Sequence, residues 1–78
     1  MIIKPLAAEQ ALGGDGITTA RLVRLVNTTA SPELVTIANA QPVSLTIAGN
    51  TVEIVEKEVG AVVGGAAGVL AVPVAFTN

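Results

Sequence analysis

The stretch "VGAVVGGAAGVLAVPVAF", residues 59–76, carries no charge, and its placement constrains the whole chain. Eighteen uncharged residues reach the lower limit of a membrane-spanning helix. Gly60, Gly64 and Gly68 also match the small-residue spacing of packed membrane helices. Helix formation is opposed by Gly60, Gly64, Gly65 and Gly68, four poor helix formers close together. Pro73 would interrupt the last turns. No Trp or Tyr marks an interface, and no basic residue follows. The reading is therefore β structure. Residues 60–68 make an apolar loop or packed turn, and residues 69–78 make a final strand. Leu70, Val72, Val74 and Phe76 share one face of that strand, and Val69, Ala71, Pro73 and Ala75 share the other. Pro73 has no N–H, which places this strand at a sheet edge or beside a break in pairing.

Seventy-eight residues allow one small domain. Domains of this size are marginal alone and usually rely on a disulfide, a metal or a partner chain. The chain has no cysteine and no histidine, so disulfides and thiolate or imidazole metal sites are excluded. Half of the residues (51%) are hydrophobic, yet Phe76 is the one aromatic. A core of Val, Ile, Leu and Ala hides less area per side chain than an aromatic core. The expected remedy for the surplus apolar surface is association with other chains. Net charge is −2, with Lys4, Arg21, Arg24 and Lys57 the only basic residues, so no nucleic acid partner is expected. The N-terminus has no long apolar run of the kind a secretory signal carries.

Residues 1–16 read as a flexible arm, interrupted by Pro5 and ending in "GGDG". Residues 17–78 form a single β domain. "ITTARLVRLVN", residues 17–27, reads as a strand, with Arg21, Val23 and Leu25 on one face and Leu22, Arg24 and Val26 on the other, neither face cleanly polar. "NTTASPE" is a turn. "LVTIAN" is a short strand with Val35 and Ile37 on one face. "VSLTIA" alternates with Val43, Leu45 and Ile47 inward. Gly49-Asn50 between two alternating runs predicts a two-residue hairpin, pairing residues 43–48 with 51–57. In that hairpin Val52 and Ile54 face inward, with Glu53 and Lys57 opposite.

The residues of common catalytic sites are scarce. His, Cys and Tyr are absent, and the two serines, Ser31 and Ser44, have no base near them in sequence. Glu56 and Glu58 are close in sequence but read as a solvated strand end rather than a cation site. Arg21 and Arg24 read as ion-pair partners for nearby carboxylates. "GGAAG" lacks the Lys and Ser/Thr of a phosphate loop. No enzyme, cofactor or metal is expected.

Three segments, "RLVRLVNTT" from Arg21, "LTIAGNTVEIVEKE" from Leu45 and "GVLAVPVAFTN" from Gly68, give the chain a further likeness. Over residues 20–78 it resembles small β-rich structural proteins of tailed bacteriophages, especially those of marine cyanobacteria. The resemblance implies a virion protein present in many copies, with capsid decoration, or cement, as the leading role. It brings no catalytic residues.

The expected fold is all-β, a small antiparallel sandwich or barrel-like sheet with a flexible N-terminal arm. The expected function is a homo-oligomeric decoration protein on the capsid surface of a virion, bound to the major capsid protein or another virion protein. Candidate contact residues, chosen for apolarity, are Ile2, Ile3 and Leu6 in the arm and Leu70, Val72, Val74 and Phe76 in the last strand. A tail, neck or fibre-associated component is an alternative. A small membrane protein built on the Gly-rich segment is another.

Overall fold

The computed structural model describes residues 2–77. Met1 and Asn78, assigned above to the arm and the final strand, lie outside the described residues. The chain is all-β, two antiparallel sheets packed face to face. Its elements are β1 (Ile2–Pro5), β2 (Gln10–Ala11), α1 (Asp15–Thr18), β3 (Leu22–Asn27), β4 (Glu33–Ile37), β5 (Val43–Ile47), β6 (Val52–Glu56), β7 (Val63–Gly65) and β8 (Val69–Thr77). The larger sheet has the order β1-β8-β3-β6, with β2 also on β8. The smaller has the order β5-β4-β7. The sheets do not close into a barrel.

The core lies between them and is aliphatic. Val23 and Leu25 on β3 and Val69 and Ala71 on β8 face Val35 and Ile37 on β4, Ile47 on β5 and Val63 on β7. Period-2 alternation in β3 and β4 is what delivers these side chains to one side. Leu12 and Ile17 close the space between the sheets.

The N-terminal segment, expected to form a flexible arm over residues 1–16, is paired to β8 at Ile2–Pro5 and Gln10–Ala11. Ile2 to Pro5 stand opposite Thr77 to Val74, and Gln10 and Ala11 stand opposite Ala71 and Leu70. The long β8 offers them an unpaired side, which is why they lie down on it.

Residues 17–27 are not one strand. Ile17 and Thr18 finish a single helical turn, with both N–H groups donating to the Gly14 carbonyl at 3.0 Å. The Thr18 and Thr19 hydroxyls bond back to the carbonyls of Gly14 and Asp15, four residues earlier. The threonines that favour a strand intrinsically therefore support a turn here.

β8 is not a sheet edge. It lies between β1 and β2 on one side and β3 on the other. Pro73 is accommodated by a break in pairing. The Pro73 carbonyl accepts from Leu6 N at 2.8 Å, so the Pro73 backbone faces the gap between β1 and β2. The N–H and C=O of one strand residue point the same way. The missing N–H therefore falls in that gap, and the β3 ladder opposite is intact.

The Gly49-Asn50 hairpin is also overturned. β5 pairs with β4, and β6 pairs with β3, so the link at residues 48–51 crosses from one sheet to the other. Asn50, not Gly49, has positive φ (57°). Gly49 is needed for a different reason. A Cβ there would lie 2.3 Å from the Ala30 carbonyl oxygen. The crossing also reverses the expected faces of β6. Val55 stands opposite Val23 and so faces the core, which turns Val52 and Ile54 outward.

One buried polar group organises this end. Asn27 is fully buried. Its Nδ2 donates to the Ser31 carbonyl at 2.8 Å and to the Ile47 carbonyl at 2.9 Å. Its Oδ1 accepts from Thr29 N at 2.9 Å and Thr29 Oγ1 at 2.7 Å. One side chain thus ties the end of β3, the following turn and the end of β5.

The other end is held by Lys57, which is 3% exposed. Its Nζ donates to the carbonyls of Thr18, at 2.8 Å, and Glu58, at 3.0 Å. Burial lowers its pKa below the ordinary value of 10.5. The unfolded chain then holds this proton more tightly than the folded chain. Stability should rise as pH climbs from the lowered folded pKa towards 10.5. The alkaline limb is unusually clean, because no His, Cys or Tyr titrates there. Urea midpoints across that range should show the rise, and Lys57→Met should flatten it. An unchanged slope in the variant would refute the assignment.

Candidate interaction surface

The register of the larger sheet fixes what its outer face presents, because directly opposed residues share a face. One row runs Val52, Val26, Leu70 and Ala11. The next runs Ile54, Arg24 and Val72. Glu56 and Leu22 lead the third, and Val74 with Pro5 and then Phe76 with Ile3 continue the face along β8 and β1. The face is therefore mostly aliphatic. Val52, Ile54 and Phe76 are each about two-fifths exposed (42%, 38% and 42%).

Both charged residues on these rows are paired within the chain. Arg24 reaches Glu9 at 3.6 Å, and Arg21 reaches Glu56 at 3.5 Å. Exposed pairs of this kind add little stability. Their consequence here is that the face has no uncompensated charge. The Arg24–Glu9 pair spans β8 above Val72, and the aliphatic stem of Arg24 helps to bury that valine.

The outer face of the smaller sheet is different. Leu34 stands beside Thr46, and Thr36 stands between Ser44 and Gly64. The Thr36 and Ser44 hydroxyls are 3.3 Å apart. That face is flat and hydroxyl-bearing apart from Leu34.

Of the seven contact residues taken from the sequence, Ile2, Leu6 and Phe76 are exposed. Ile3 and Leu70 are half-buried, and Val72 and Val74 are buried by neighbours in the same chain. Leu70, Val72, Val74 and Phe76 do share the face turned away from the core. Val52 and Ile54 join that face, and sequence alternation alone assigned them to the interior. Only the pairing of β6 with β3 reveals their side.

The two carboxylates singled out in the sequence are not brought together. Glu56 is paired with Arg21, and Glu58 Oε1 accepts from Ala40 N at 2.9 Å, so the two carboxylates serve separate contacts. No cluster of three or more acidic side chains occurs among the described residues. The polar hollow bounded by Arg21, Asn39, Glu56, Lys57 and Glu58 is open, and the ammonium of Lys57 is committed to backbone carbonyls.

The chain matches no known family model, curated protein or solved structure. Its function must be argued from its own surfaces. No helix among the described residues is long and apolar enough to cross a membrane, and the Gly-rich segment contributes β7 and leads into β8.

Proposed function

We propose that this chain is a non-enzymatic structural protein of a virion, a decoration or cement protein that binds across capsid subunits at the particle surface. The observation that carries the reading is the aliphatic, charge-compensated outer face of the larger sheet. Four strands by five residues make roughly 19 by 17 Å, about 300 Å² in projection. The largest apolar patch on a typical monomer is about 300–600 Å² and is often functional. This face is well short of the about 800 Å² per partner that a stable one-to-one complex buries. Weak contacts repeated over many linked copies sum to a large stabilisation. A lattice of subunits supplies that repetition, and the sequence likeness to phage structural proteins points to the same setting. Ile3 and Phe76, directly opposed where β1 and β8 run beyond β3, extend the contact.

The test is quantitative mass spectrometry of purified particles from the virus that encodes the chain. Hundreds of copies per particle are expected of lattice decoration. Six or twelve copies would indicate a tail, neck or fibre-associated component instead, and absence from particles would overturn the reading. Phe76→Asp should cut particle occupancy at least about tenfold while changing stability by less than about 1 kcal/mol, because Phe76 is largely outside the core.

A further inference from the structure

Two sheet edges lie on one side of the sandwich with no partner among the described residues: β6 of the larger sheet and β5 of the smaller. Their backbone directions follow from the bonds beside them. Asn27 N donates to the Thr51 carbonyl, so Asn27, Leu25 and Val23 face β6. Glu53 and Val55 answer them, which leaves Val52, Ile54 and Glu56 with N–H and C=O pointing outward. Ala38 N donates to the Val62 carbonyl, so Ala38 and Thr36 face β7. Val35 and Ile37 then face β5, and Ser44 and Thr46 are its outward residues.

These two edges are locked to each other at both ends. Residues 48–51 join the end of β5 to the start of β6. At the far end Glu58 N donates to Asn39 Oδ1 at 2.9 Å, and Ala40 N donates to Glu58 Oε1. Leu45 is the middle residue of β5, and Ile54 is the middle residue of β6. Each lies two residues from the crossing link, so the two midpoints are stacked across the sandwich.

We propose that a second copy of this chain adds to both edges at once, about one two-fold axis through Leu45 and Ile54. The sequence is self-complementary about that axis. On β6, Ile54 meets its own copy, Val52 meets Glu56 and Glu53 meets Val55, so no carboxylate opposes another. On β5, Leu45 meets its own copy, Val43 meets Ile47 and Ser44 meets Thr46, repeating the hydroxyl contact already made between Ser44 and Thr36. The outward backbone groups then pair, which removes the two unpaired edges. The larger sheets of the two copies join, and their aliphatic outer faces become one surface. The inference rests on the homo-oligomeric state expected of the decoration protein proposed above, not on its virion setting.

The test is the mass of the purified full chain by light scattering on a sizing column, compared among variants. The wild type should run at twice the 7.8 kDa of one chain. Ile54→Lys sets two ammonium groups face to face on the axis and should weaken the dimer about a hundredfold, with an unchanged far-UV spectrum. Leu34→Ser, on another surface, should leave the dimer intact. The native chain has no cysteine, so Ile54→Cys is a second readout. Hydrogen-bonded cross-strand pairs stand about 5.5 Å apart at Cα, within disulfide range. Mild oxidation should yield a covalent dimer, whereas Leu34→Cys should not. A monomeric wild type would overturn the proposal together with self-association. A dimer that survives Ile54→Lys and resists Ile54→Cys cross-linking would overturn the edge pairing alone. Neither outcome bears on particle copy number, which tests the virion reading separately.

Discussion

Asn27→Ala is expected to lower the unfolding free energy by about 3–5 kcal/mol, as much as truncating a large core side chain. The side chain makes four hydrogen bonds in a fully buried position. Truncation strands the Ile47 carbonyl inside the sandwich and frees Thr29 from its acceptor. A buried group left unpaired loses its desolvation energy, about 1–3 kcal/mol each. The whole domain, at about 0.05–0.15 kcal/mol per residue, has only about 4–12 kcal/mol in total. Urea unfolding followed by far-UV circular dichroism measures this directly, since the chain has no Trp or Tyr to report by fluorescence. Asn27→Asp separates donation from packing. It keeps the acceptor for Thr29 but turns a carboxylate towards two carbonyls. Burial and those dipoles raise its pKa in the folded state above the unfolded value. The charged form is thus the penalised one, and the deficit against wild type should shrink as pH falls below the raised folded pKa. A midpoint for Asn27→Ala within about 0.5 kcal/mol of wild type would show that this network does not hold the sheets together.

Gly49→Val should be almost as damaging, by about 3 kcal/mol or more, for a steric reason. A Cβ at this position meets the carbonyl oxygen and carbon of Ala30, both backbone atoms, at 2.3 and 2.5 Å. No rotamer change relieves that contact. The link must move outward, and the Asn50 N bond to the Thr29 carbonyl, now 2.8 Å, stretches with it. Gly60→Ala makes a useful contrast. Its Cβ meets nothing within 4 Å, and its cost comes from the positive φ of 90° alone. A smaller loss, about 1 kcal/mol, is expected there. If Gly49→Val unfolds at the wild-type midpoint, the close approach of the two chain segments is wrong.

The strands were largely readable from alternation, whereas their partners were not. β3 and β4 show their inward residues in sequence because one face of each is aliphatic and core-facing, and in β5 Leu45 and Ile47 do so while Val43, read as inward, is exposed at the strand's start. β6, "VEIVE", has apolar residues on both parities, so its inward face is decided by whichever strand it pairs with. A local hairpin would have turned Val52 inward, and pairing with β3 turned it out. The clue at Gly49-Asn50 was also ambiguous. Glycine before asparagine suits a hairpin, and it equally suits a crossing where backbone touches backbone. Pro73 left β8 either at an edge or beside a break in pairing, and the second holds because two separate strands share the neighbouring side. Asn27 carried no signal at all, since its three partner residues, Thr29, Ser31 and Ile47, are spread along the chain. The apolar outer face was partly legible, in Leu70 and Phe76, and its β6 half was not.

The position of β8 in the larger sheet also sets when this chain can fold. It follows the other described strands along the chain, and β1, β2 and β3 all pair with it. A growing chain on the ribosome can pair β3 with β6 and β4 with β5, but the first two strands have nothing to lie against. The sheet closes only after Val69–Thr77 has emerged, by linking residues as far apart as Ile2 and Thr77. Such long-range closure slows folding, towards the millisecond-to-second range of β-sandwiches. A nascent chain stalled before residue 69 should therefore be open to proteases along residues 2–11, and emergence of Val69–Thr77 should protect β1, β2 and β8 together.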